Sequence, residues 1–107
     1  MPSYLITSRI PSSFRPSPEA FAAWTAWFEQ LGGHLEDRGN PAFNRTTLGN
    51  CGPETQLGGY TLINADDLEK AVRLAKSHPL MRLGGSVEIG ELTLINAGKE
   101  LADAEDR

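Results

Sequence analysis

The stretch Leu57-Gly58-Gly59-Tyr60-Thr61-Leu62-Ile63-Asn64-Ala65-Asp66-Asp67-Leu68-Glu69 changes its hydrophobic period partway along, and that change decides the fold. Over residues 57–64, apolar and β-favouring side chains fill both alternating registers, Tyr60 and Leu62 in one and Thr61 and Ile63 in the other. A strand covered on both faces has that pattern. From Asp66 the period becomes helical. Asp66 is placed to cap the first turn, Glu69 stands three residues on as its capping-box partner, and Leu68, Ala71, Val72 and Ala75 recur at helical spacing. The helix must end before Pro79. The unit is a strand followed directly by a helix.

A second such unit precedes it. Residues 3–9 mix Tyr4, Leu5, Ile6 and Thr7 and read as a strand, and the Pro11-Ser12-Ser13-Phe14-Arg15-Pro16 segment after it reads as a loop because proline cannot donate to a ladder. Ser17-Pro18-Glu19 is a helix start, combining a hydroxyl cap, a proline suited to the first turn and a carboxylate that favours the dipole. The helix runs to Leu31, gathers Phe21, Trp24, Trp27, Phe28 and Leu31 on a face expected to be buried, and stops at Gly32-Gly33. A short strand is expected over 34–38, then a long irregular connection over 39–53. Gly84-Gly85 opens a last strand over 86–94, whose apolar phase flips between Ile89 and Leu92, so a bulge is expected near Gly90.

The order strand, helix, strand, strand, helix, strand is the ferredoxin-like βαββαβ arrangement of an α+β protein. It makes a four-stranded antiparallel sheet with two helices on one face. The other face carries apolar residues too, and a second copy of the chain is the simplest cover. With 107 residues there is room for one core, assigned to 1–96, while the charged stretch 97–107 is expected to be a flexible tail.

Ten Lys and Arg stand against fourteen Asp and Glu, a net charge of −4, so the average field repels nucleic acid and anionic lipid. Apolar runs fall far short of the ~20 residues that span a bilayer, and the first nine residues lack an apolar signal core. A cytoplasmic location is expected, which suits a lone cysteine, Cys51. His34 and His78 lie too far apart, with no carboxylate pattern, to suggest a metal, and no glycine pair fits a phosphate loop, so neither metal nor cofactor is expected.

Residues 57–63, Leu74-Ala75-Lys76, Pro79 and Gly84-Gly85-Ser86-Val87-Glu88-Ile89, together with Trp24-Thr25-Ala26-Trp27 and Leu31-Gly32-Gly33-His34-Leu35, resemble the YCII-related (DGPF) family over residues 4 to about 92. The resemblance implies a dimeric α+β barrel, a homodimer with a small cavity between each sheet and its helices, and small organic ligands such as chlorinated hydroquinones. Two departures matter. Cys51-Gly52-Pro53-Glu54 replaces the family's Asp-Gly-Pro-Phe, and its proposed catalytic His and Asp pair is missing: Ala22 aligns with the histidine, and Phe43 and Asn44 follow Asn40-Pro41-Ala42 where the aspartate belongs.

Five residues are ligand-binding candidates, each with a structural alternative. His78 can serve a cavity as acid or base, or sit exposed at a helix end. Asp37 and Asn40 can converge at a pocket rim or simply form a turn, and Asp37 joins His78 as a catalytic candidate. Glu88 faces a ligand, faces water, or meets Arg9 or Arg82. Trp24 offers a flat wall for an aromatic molecule or, like Trp27, packs the core. Cys51 lacks a positive neighbour or helix start and reads as incidental. Two functions remain open: binding of a small organic, aromatic molecule, or a non-enzymatic regulatory or protein-interaction module.

Overall fold

The structure, a computed structural model, describes residues 1–52 and 54–93. Its elements in chain order are β1 (Ser3–Pro11), α1 (Pro18–Leu31), β2 (Leu35–Asp37), β3 (Thr55–Asn64), α2 (Leu68–Ala75) and β4 (Ser86–Glu91). Single 3-10 turns at Gly32–His34 and Pro79–Met81 follow the two helices. The strands form one antiparallel sheet in the order β2-β3-β1-β4. This is the expected ferredoxin-like α+β fold.

Local chemistry sets most boundaries. Ser17 Oγ accepts the Ala20 N–H at 3.0 Å to start α1, and Gly32, at φ 54°, ends it in a conformation that a side chain would resist. Asp67, not Asp66, caps α2: its Oδ1 accepts the Lys70 N–H at 2.8 Å. Glu69 then falls one position short of a capping-box partner and serves only the dipole. β2 is shorter than expected, because His34 belongs to the 3-10 turn and lies 2.9 Å through Nδ1 from the Asn64 carbonyl oxygen. β1 is longer, continuing to Pro11 opposite Thr55. Pairing with β4 has already ended at Arg9, so that side of the strand needs no donor from Pro11.

The expected bulge near Gly90 is absent, since β4 pairs with β1 without interruption from Ser86 to Glu91. Leu92 lies past the last pair and donates its N–H to the Ser3 carbonyl at 2.8 Å. The extra residue sits instead in β3, where Ser8 faces Gly59 and Arg9 faces Leu57, leaving Gly58 between. Leu94 and the stretch 97–107 lie outside the described residues.

Burial along β1 alternates strictly. Tyr4, Ile6, Ser8 and Ile10 point to the helices, while Leu5, Thr7 and Arg9 point away. The core joins Tyr4, Ile6 and Ile63 of the sheet to Trp27 and Leu31 of α1 and Ala71 and Ala75 of α2, so both helices cover one face. Each large apolar side chain buried there stabilises by roughly 1.5–3 kcal/mol. Trp27 also donates Nε1–H to the Leu74 carbonyl at 3.2 Å, tying α1 to α2. The opposite face presents Leu5, Thr7, Tyr60, Leu62 and Glu88, all half-buried or exposed.

Candidate functional site

The inward row of the sheet tapers. Facing pairs run from Tyr4 with Ile63, through Ile6 with Thr61, to Ser8 with Gly59. Large side chains at one end meet Trp27 and Leu31, but the small ones at the other end do not reach α1. The result is a cavity of about 440 Å³ between the N-terminal half of α1 and the sheet, within the size range of small-molecule sites. The same taper explains why the expected buried face of α1 is buried only at its C-terminal end. Trp27 and Leu31 are covered, Trp24 and Phe28 are half-buried walls of the cavity, and Phe21 at its rim is 76% exposed.

The outer wall is the start of the long connection, which runs beside β3. Pro41 bridges Gly59, Ala42 donates its N–H to the Gly58 carbonyl at 2.9 Å, and Tyr60 donates to the Asn40 carbonyl at 3.4 Å. Gly39 permits this approach: it adopts φ 73°, and a Cβ there would collide with the Tyr60 carbonyl oxygen. Arg45 holds the far end through Nη1, donating to the Ala42 carbonyl at 2.7 Å and the Leu57 carbonyl at 3.1 Å. Arg38 lies with its guanidinium carbon 5.3 Å from the centre of the Phe28 ring. Both arginines line the cavity.

His78 lies at the inner end. Sequence alone allows an exposed helix end, but the residue is 3% exposed, because Pro79 and Leu80 turn the chain back into the core and bring the ring against α1. Its centroid is 4.6 Å from Trp27 and 5.5 Å from Trp24, edge-on to the latter. Nδ1 accepts the Leu80 N–H at 3.1 Å, which assigns the proton of the neutral ring to Nε2. Burial pulls the ring's pKa down to about 4, so it is neutral at pH 7. Nε2 has no protein partner among the described residues. The only sealed, unpartnered side-chain polar atom among them is Asn64 Oδ1, so Nε2 opens to the cavity that His78 lines.

Of the five candidates, Trp24, Asn40 and His78 line this cavity, with Asn40 Nδ2 donating to the Tyr60 hydroxyl at 3.3 Å. Asp37 does not: its carboxylate accepts the Gly39 N–H at 2.8 Å and forms the turn that launches the loop. Glu88 does not either, because strand alternation places it beside Thr7 on the open face. Arg9 is spent on Thr55, with Nε donating to Oγ1 at 2.8 Å. Cys51 is exposed. Arg38 and Arg45 are site residues that sequence reading passes over, and the only signal for the cavity itself is the row of small inward residues Ser8, Gly59 and Thr61. Among the described residues no cluster of His, Cys, Asp and Glu is placed to hold a metal, and no helix is long and apolar enough to cross a membrane.

In fold, the chain is similar to a solved 5-chloro-2-hydroxyhydroquinone dehydrochlorinase from Burkholderia phenoliruptrix AC1100, determined in complex with 2,5-dihydroxybenzoquinone. The TM-score is 0.56 and the identity 18%, over 85% of this chain and 93% of that one. No protein-family model and no curated protein matches the chain.

Proposed function

We propose that this chain is a YCII-type scaffold that binds a small aromatic molecule in the cavity between α1 and the sheet, and that it works as a homodimer paired through the open sheet face. The observation that carries the reading is the cavity of about 440 Å³, walled by the aromatic rings of Trp24 and Phe28 with the buried imidazole of His78 at its inner end. The structurally similar dehydrochlorinase was solved with a quinone of that size class, which supports the ligand type. Pairing is supported by the apolar Leu5 and Leu62 on the face that the helices leave uncovered.

Binding without turnover is the better reading of the residues present. The described lining has no carboxylate, and the basic lone pair of its one imidazole is engaged by Leu80. Thermal-shift measurements with aromatic acids, quinols and quinones test the proposal. A ligand at 100 times its Kd stabilises by roughly 2.7 kcal/mol, and the shift should vanish in Trp24→Ala. No shift with any ring compound would refute ligand binding, and light scattering at 11.6 kDa rather than twice that mass would refute the dimer.

A further inference from the structure

The chain carries an excess of four negative charges, yet the lining of the cavity inverts that balance. Its described lining includes the guanidiniums of Arg38 and Arg45 and no Asp or Glu. The sheet hydroxyls of the lining already spend their protons within the protein, so the donors left for a ligand are the guanidiniums and one imidazole N–H. Thr61 Oγ1 donates to the Arg38 carbonyl at 3.0 Å, and Ser8 Oγ donates to the Gly59 carbonyl at 3.4 Å. Asn40 Nδ2 donates to the hydroxyl of Tyr60, whose side chain belongs to the open sheet face, so this pair adds no donor to the cavity. At the inner end stands the Nε2–H of His78, on a ring that is 3% exposed and has its other nitrogen bonded.

A buried N–H without a partner costs free energy that a ligand oxygen recovers. Two arginines on the same lining, Arg38 exposed and Arg45 half-buried, add attraction for negative charge. Arg45 has Nη1 occupied by two carbonyls, so its charge acts on the cavity while its position is held. Arg38, stacked on Phe28, is the arginine with its fork available among the contacts described.

Resting on the reading of this cavity as a ring-binding site, we propose that its occupant is an aromatic organic anion, drawn in by Arg38 and Arg45, with His78 meeting one of its oxygens as an N–H donor. Neutral rings of the same shape then bind more weakly. His78 neither gives up nor takes a proton when the ligand enters, because its acceptor nitrogen stays on Leu80.

Calorimetry with 2-naphthoate and its uncharged analogue 2-naphthamide is the test, since both fill the same apolar volume. The anion should bind roughly tenfold or more tighter, the range of one charge-assisted hydrogen bond. Arg38→Gln should reduce that ratio, and His78→Asn should weaken naphthoate by a similar factor. That asparagine can keep an acceptor for the Leu80 N–H but has no atom at the Nε2 position. Long-range 1H–15N spectra of the unmodified protein give a readout independent of any variant. A protonated Nε2 and a bare Nδ1 should persist on adding naphthoate, with the Nε2–H signal moved. Equal affinity for the two ligands overturns the anion assignment and leaves ring binding standing. An imidazolium in the complex overturns the donor role, and binding of neither ligand while a neutral quinol binds also refutes the proposal. Absence of binding by every ring compound refutes both this proposal and the reading it rests on.

Discussion

Lowering the pH from 7 to 5 should weaken the fold by about 2 kcal/mol through one side chain, His78. Burial against Trp24 and Trp27 takes its pKa from the ordinary 6.5 down to about 4. The unfolded chain therefore binds the proton first. Stability is intact above pH 6.5, falls as the pH drops toward 4, and then levels off. The full difference corresponds to roughly 3 kcal/mol, and roughly 2 kcal/mol of it is lost between pH 7 and pH 5. For a domain of this length that lowers Tm by roughly 10 °C and the urea midpoint by about 1 M. Urea unfolding at pH 7, 6 and 5 measures it, with His78→Asn as the control. The variant should start less stable because part of a buried ring is gone, and should show a smaller slope with pH. His34 is present in both proteins, so the difference between them isolates His78. Parallel pH profiles would refute the argument, because they would mean that the imidazole charges as easily in the fold as out of it.

Two other perturbations test the packing that shapes the site. Trp27→Phe keeps an aromatic ring but removes the pyrrole half of the buried indole and with it the Nε1–H bond to Leu74, leaving that carbonyl without its donor. It should cost about 1–3 kcal/mol in chemical denaturation, and a change under about 0.5 kcal/mol would argue that the two helices are not joined there. Gly39→Ala collides with the Tyr60 carbonyl and should lift the loop from β3. Hydrogen exchange should then speed up at the amides of Ala42 and Tyr60, which bond across that seam, while the β1 amides stay protected. Unchanged exchange would place the loop elsewhere.

Much of the fold is legible residue by residue because its signals are local. Ser17-Pro18 and Gly32 mark the ends of α1 through hydrogen bonds and dihedral angles within one turn, and the two-register pattern of 57–64 marks β3. Errors arise where a neighbouring strand or helix arbitrates. Asp66 and Asp67 are equal as caps in local chemistry, and Asp67 takes the role after Ala65 extends the sheet by donating to the Pro2 carbonyl at 3.2 Å. Gly58 and Gly90 are equal as bulge sites, and registry with β1 selects Gly58.

The site follows the same division. From its sequence the chain has an aromatic face on α1, a polar loop after β2 and a histidine before Pro79, and those ingredients already name Trp24, Asn40 and His78. Asp37 and Glu88 look equally suitable on paper, yet one closes a turn and the other lies on the far side of the sheet. Pairing Ser8 with Gly59 opens the cavity, and packing against Trp24 and Trp27 of α1 buries the imidazole, while the Leu80 N–H two residues on selects its tautomer. Periodicity and caps depend on neighbours within about four residues, and one chain can state them. A void and a shifted pKa depend on which side chains arrive from distant segments, and only the packed structure decides that.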